Sequence, residues 1–285
     1  MPLVARFMLM LAALVAPPSR SAESHPPAAI EDGAACVRCH AEITAKRVVH
    51  GPAAAGQCAA CHVVAESKGT RRIALKGGVT ARDTVKLCVT CHEDTAERLK
   101  QSHKHAPVAS GNCTACHDPH GSAFRFQLAA EGNRTCVSCH EDIAQVMSQS
   151  HVHGPAAASC AICHDAHAAP NAAQLKAAGN AMCMTCHLNA PADAAIADPR
   201  AVFGRTPIPG IEKLISTAPR ISLDASLTSG HPTIRHPVDN RRDPSEPSRT
   251  LRCASCHNPH GSSGSKLLRF GAAGVSPLCV RCHSF

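Results

Sequence analysis

The sequence predicts short α-helices separated by coil, with little or no β-sheet, in an extended molecule that packs around something other than its own side chains. Three observations lead there. The 285 residues include no Trp, no Tyr and only six Phe, and much of the 44% hydrophobic share is Ala and Cys. A core of the size such a length normally builds is therefore hard to assemble. Disorder does not fit either, because 18 Cys and 20 His are not the composition of a solvated tail. Beyond the N-terminus no run of roughly 18 apolar residues exists, so no transmembrane span is expected in the mature chain.

The first 22 residues read as an export signal. Arg6 precedes a run of ten apolar residues from Phe7, and Pro17, Pro18 and the small residues Ser19, Ser21 and Ala22 follow. Charged, apolar, then small is the layout of a secretory signal peptide. A periplasmic protein, or one associated with the outer membrane or the cell exterior, is expected.

Every cysteine belongs to a C-x-x-C-H pentad. The pairs are Cys36/Cys39, Cys58/Cys61, Cys88/Cys91, Cys113/Cys116 and Cys136/Cys139, then Cys160/Cys163, Cys183/Cys186, Cys253/Cys256 and Cys279/Cys282. A disulfide framework suits an exported chain but requires no His after each second Cys. Zinc ribbons use two C-x-x-C pairs per metal, again with no obligatory His. Covalent haem attachment demands the whole pentad. Side chains three and four apart on a helical turn share a face, so two thiols reach the two vinyl groups of one haem. The next His then sits under the iron as proximal ligand. Nine haem c groups are expected, and they supply the missing apolar interior. The apo-chain is expected to be largely unfolded.

The proximal histidines are His40, His62, His92, His117, His140, His164, His187, His257 and His283. Eleven remain as distal candidates: His25, His50, His103, His105, His120, His151, His153, His167, His231, His236 and His260. Beyond the signal only three Met exist, so bis-histidine ligation follows by elimination. The spare histidines are patterned. His50, His105 and His153 precede the second motif of a pair, with His236 a distant echo. His120, His167 and His260 lie three residues after a proximal His. His103 and His151 stand two before the first group, with His231 a counterpart; whether His103 or His105, and His151 or His153, ligates iron stays open. These echoes divide the chain into doublets at 36–62, 88–120, 136–167 and 183–260, with a ninth motif at 279–283. The first doublet departs from the pattern, with Val48 and Ala65 at positions held elsewhere by His. An open coordination position is expected there first, unless His25 serves haem 1 or 2.

Residues 23–187 form a segment with seven haem sites and 253–285 a C-terminal segment with two. Between them, 188–252 is a Pro-rich insertion without Cys, read as a linker or a wrap over haem edges in preference to a docking arm. Residues 63–87 alternate weakly around Gly77-Gly78 and fit either a hairpin or a basic surface loop, the loop being preferred. Short helices starting at each pentad, joined by coil, account for the rest.

Paired C-x-x-C-H motifs with SHxHxP before the second and CHxPHG after it resemble the doubled-CxxCH family of multihaem c-type cytochromes. The resemblance covers roughly 36–187 and 253–283. It implies an extended, haem-packed architecture moving single electrons in anaerobic or extracellular respiration. It also implies redox partner proteins: a quinol-oxidising cytochrome, an outer-membrane porin or another multihaem cytochrome. Within that group the chain is similar to decahaem and octahaem porin-associated cytochromes, although nine motifs and the insertion depart from both.

An electron carrier with no catalytic residues is thus the leading expectation. A multihaem reductase of a small oxyanion such as nitrite or tetrathionate, and a subunit of a polymeric filament, are the alternatives. The formal charge of +8 does not point to nucleic acid. Nine haems bring about −18 from propionates and about +9 from ferric porphyrin iron, leaving the oxidised protein near neutral.

Overall fold

A computed structural model describes residues 33–188, 210–221, 242–244, 246–270 and 276–283. The segment 1–22, His25, His231, His236 and most of 188–252 lie outside the described residues. The architecture is short helices, coil and two-stranded ladders, as the composition requires.

The pentads take two local forms. First motifs of the doublets lie in or end α-helices: α1 (Gly33–Cys39), α4 (Ala81–Val89), α7 (Arg134–Val137) and α10 (Gly179–His187). Second motifs form single 3-10 turns at Cys58–Ala60, Cys113–Ala115 and Cys160–Ile162, and a four-residue α-turn at Cys253–Cys256. Helices therefore tend to run into a pentad rather than start at it. Short helices that follow a first motif, α2 (Ala41–Thr44), α5 (Glu93–Arg98) and α8 (Glu141–Met147), begin directly after a proximal His and carry acidic residues in their first turn, where the helix dipole favours them.

Between the two motifs of a doublet the chain repeats one device. His50, His105 and His153 each occupy the N-cap of a short helix, α3 (Gly51–Ala54), α6 (Ala106–Ala109) and α9 (Gly154–Ala158), with Pro in its first turn. Proline pre-sets the helical φ at that position. None of the three His side chains caps its own helix, so the rings are free to point elsewhere.

Just before each of these histidines lies a two-residue strand. β1 (Val48–Val49), β4 (His103–Lys104) and β6 (His151–Val152) pair antiparallel with β5 (Gly121–Ser122), β7 (Ala168–Ala169) and β8 (Gly261–Ser262). Each partner strand comes from the doublet one further along the chain, so consecutive doublets are buttoned together. The approach is close: a Cβ at Gly121 (φ +146°) would sit 2.8 Å from the Val48 carbonyl oxygen.

The loop carrying each partner strand has a fixed register. After His117, His164 and His257 the chain returns to an antiparallel bridge eleven residues on, at Leu128, Leu175 and Leu268. In each loop two consecutive non-glycine residues adopt left-handed φ: Phe126-Gln127, Ala173-Gln174 and Lys266-Leu267.

In the first doublet a true hairpin replaces this loop. β2 (His62–Ser67) pairs with β3 (Thr70–Leu75), and His62 lies opposite Leu75 as His117 lies opposite Leu128. The preferred loop reading of 63–87 is thereby corrected. The turn falls at Lys68-Gly69 (φ +50° and +75°), whose two positive φ values suit the tight hairpin connection; Gly77-Gly78 only ends the strand.

Part of the insertion folds back on the body. α11 (Ile211–Thr217) places Ile211, Leu214 and Ile215 against Ile162 and Met182. Ile162, Met182, Ala168 and Ala169 are the buried apolar residues among those described. So small a protein core cannot offset the entropy of ordering the chain; the interior must be supplied from outside the polypeptide.

Candidate haem-binding site

No disulfide joins any two of the 18 cysteines. Their mutual contacts join pentads that are consecutive in the sequence. The Cys88 and Cys113 side chains hydrogen-bond each other, as do Cys136 with Cys160 and Cys183 with Cys253. These bonds raise the first thiol of each pair and lower the second, to about 6 at Cys113 and about 7 at Cys160 and Cys253. Across doublets the second cysteines approach instead: Cys61 interacts with Cys91, Cys116 with Cys136 and Cys139, Cys163 with Cys186, and Cys256 with Cys282. Neighbouring pentads in sequence are thus neighbours in space, in two alternating modes.

Six histidine pairs face each other with nearly parallel rings. His62 and His120 lie with centroids 5.9 Å apart, and His50 and His92 at the same 5.9 Å. His117 pairs with His167 at 6.1 Å, His105 with His140 at 5.9 Å, His164 with His260 at 6.1 Å and His153 with His187 at 6.0 Å. Interplanar angles run from 12° to 22°. In every pair one ring belongs to a pentad and the other is a spare histidine. Two metal–nitrogen bonds of about 2.0–2.1 Å plus about 1.1 Å from each nitrogen to its ring centre would put the centroids about 6.2–6.4 Å apart. The observed spacing is within a few tenths of an ångström of that, and is wider than rings in direct stacking contact require. The residues present fit a haem iron clasped from both sides.

The pairing is staggered. A histidine ahead of a second motif (His50, His105, His153) meets the first motif of the following doublet. A histidine three after a second motif (His120, His167, His260) meets the second motif of the preceding doublet. The backbone enforces both: the His50, His105 and His153 amides donate to the carbonyls of His120, His167 and His260 at 3.0–3.1 Å. His103 and His151 are exposed on β4 and β6, opposite Ala169 and Ser262, and neither faces a pentad histidine. Ala65, in the first doublet, lies on the hairpin opposite Arg72, while His62 of that doublet meets His120.

The rings are oriented from behind. Nδ1 of His117, His164 and His257 donates to the carbonyls of Phe126, Ala173 and Lys266 at 2.8, 2.7 and 2.8 Å. These carbonyls belong to the first residue of each left-handed pair, so the unusual φ aims an acceptor at the imidazole. Nδ1 of His50 and His153 donates to Pro119 and Pro259 at 2.8 and 2.9 Å, and that of His187 to Pro219 at 2.7 Å. With Nδ1–H engaged, Nε2 is left as the unprotonated atom that binds metal. His62 differs: its Nδ1 is buried without a hydrogen bond of good geometry, with the Ala74 backbone as polar neighbour. Burial also pushes His62, His153, His167 and His260 below the ordinary histidine value, which favours the neutral, ligating form.

Several contributors carried no sequence signal of their own. Asp118, Asp165 and Asn258 accept from the backbone N–H of His120, His167 and His260 at 3.0, 2.9 and 3.1 Å, setting the turn that presents each ring. The Asn133 and Asn180 side chains accept from the Cys160 and Cys253 amides at 2.8 and 2.9 Å, docking a second motif on the first. The acceptor one residue after a proximal His recurs in the second motifs of the last three doublets, and the Asn three before a first Cys in the last two.

Repeated pentads whose histidines meet a second imidazole define a protein that binds several haem c groups covalently, a multihaem c-type cytochrome. The doubled CXXCH motif profile matches residues 50–97, 105–145, 153–192 and 246–285, more than half of the chain. The chain belongs to the doubled CXXCH motif family. Each of the first three matched units opens on the N-cap histidine and ends just past the pentad that histidine faces, one motif out of step with the doublets read from the sequence. No curated protein matches the chain. Among the described residues no helix is long and apolar enough to cross a membrane.

Proposed function

We propose that the chain is an electron conduit carrying nine haems, each held by the two sulfurs and the histidine of its pentad. The six ring pairs carry this reading: they give the haems of the second through seventh pentads a second imidazole from the adjacent doublet. Haem supplies a reversible one-electron couple whose potential follows its ligands and surroundings. The polypeptide's part is to hold both imidazoles, fix their Nδ1 protons on backbone carbonyls and keep successive pentads adjacent. Iron with two imidazoles has no position for a substrate, which favours transfer over catalysis.

The signal-like segment 1–22 and the requirement for haem attachment outside the cytoplasm support a periplasmic, outer-membrane-associated or extracellular location. Anaerobic or extracellular respiration suits such a carrier. Its partners would be a quinol-oxidising cytochrome, an outer-membrane porin or another multihaem cytochrome, and no nucleic acid.

Intact mass of the exported protein tests the count: a mature chain plus nine haems is expected. Electron paramagnetic resonance and near-infrared magnetic circular dichroism of the oxidised form should show low-spin, bis-imidazole iron throughout. Predominantly high-spin iron would overturn the conduit reading.

A further inference from the structure

The described part of the insertion, residues 210–221, folds back on one haem position and touches the elements that carry both of its ligands. His187 donates from Nδ1 to the Pro219 carbonyl at 2.7 Å. The Ile221 amide donates to the His187 carbonyl at 2.7 Å, beside a parallel bridge between Leu188 and Ile221. Arg220 ties the same stretch down through the carbonyls of Leu188 and Ile215 at 3.2 and 3.1 Å. Its guanidinium also draws the Cys186 thiol down, against the larger upward push of burial. Across the ring pair, a Cβ at Gly154 would sit 3.4 Å from Cδ2 of Leu214 in α11, and Gly154 opens the helix that His153 caps.

The comparable first motifs lack this support. His92 and His140 are exposed, α5 and α8 begin directly after them, and neither Nδ1 meets an acceptor among the described residues. His187 is half-buried. Of the six ring pairs, His153–His187 alone has both Nδ1 atoms on backbone carbonyls, those of Pro259 and Pro219.

A carbonyl that accepts from Nδ1–H makes the imidazole a more basic ligand, and a stronger donor favours ferric over ferrous iron. We propose that residues 210–221 are a positioning element for the seventh haem, in which the Pro219 carbonyl holds His187 and lowers the potential of that haem. The inference rests on the conduit reading. It gives the insertion a task inside the chain of haems, at the junction where 188–252 interrupts the regular doublets. The Arg220 charge acts in the opposite sense, because a nearby cation favours the ferrous state.

The test is a potentiometric titration of the holo-protein, followed by Soret absorption and electron paramagnetic resonance. His153→Met identifies the wave of the seventh haem, since methionine ligation raises the potential of the haem that receives it. Ile221→Pro removes the donor that seats the segment on the His187 carbonyl, and should move that one wave upward while the haems stay low-spin. A glycine inserted between Pro219 and Arg220 displaces the Pro219 carbonyl without deleting a side chain. It should give the same upward shift and carries the test alone if the proline variant does not assemble. Arg220→Gln should move the wave downward, which separates the effect of the carbonyl from that of charge. A wave that stays in place or falls in the glycine-inserted protein, or an equal shift of every wave, would overturn the proposal. Predominantly high-spin iron in the unaltered protein would overturn the conduit reading instead.

Discussion

At the scale of single residues, position relative to proline separates ligand candidates that are otherwise alike. His103 and His105 differ by two residues, yet only His105 is the N-cap of a helix with proline in its first turn, and only its ring meets a pentad histidine. His105→Ala should therefore convert one haem to high-spin iron, with added imidazole restoring the low-spin spectrum, while His103→Ala should leave the spectrum unchanged. The same contrast should hold for His153 against His151. This distinction was not legible from counting histidines, because the strand that turns His103 outward is made by residues of another doublet. Acid should also act through the ligands. Burial lowers His62, His153, His167 and His260 below 6.5, so the folded state prefers them neutral. Their support for the fold is intact above the unfolded value of about 6.5 and declines as pH falls through it toward the lower folded values. Coordination to iron adds to this preference, because a proton must then displace the metal from Nε2, so Soret spectra recorded during acid titration should show ligand loss only well below the ordinary histidine value.

At the scale of elements, the repeated loop after each second motif combines features of unequal visibility. The CHxxH spacing announced it, and it recurs at His120, His167 and His260. Its left-handed pairs were hidden, since φ > 0 falls on Phe126, Ala173 and Lys266 and not on glycine. The hairpin in the first doublet was hidden for a related reason: Lys68-Gly69 is a weaker turn signal than Gly77-Gly78, yet the pentad histidine His62 still lies opposite a leucine, Leu75, thirteen residues on where the other loops take eleven. Gly121 is where an element-level substitution should tell most. A side chain there meets the Val48 carbonyl and strains the backbone, so Gly121→Val should cost about 1–3 kcal/mol and pull His120 away from His62. A lowered melting temperature together with one high-spin haem is the expected outcome, measured by calorimetry and absorption.

At the scale of the whole molecule, the near-absence of a polypeptide core was legible from composition, and four buried apolar residues among those described agree with it. Chain expressed without haem attachment should be digested rapidly by protease and show little ordered structure by circular dichroism; a compact, resistant apo-chain would contradict this. The stagger between doublets has a further consequence for how such a molecule changes length. Because every repeat lends one histidine forward and one back, excising an arbitrary stretch strands two irons. Excising one full period does not. Joining Lys104 to His153 removes two pentads and brings His167 into the role His120 held toward His62, while the remaining partnerships are untouched. A shortened protein with seven low-spin haems is the expected product, read by intact mass and dichroism. Growth and loss by whole cassettes, two haems at a time with the first pentad as a fixed cap, would keep the total odd.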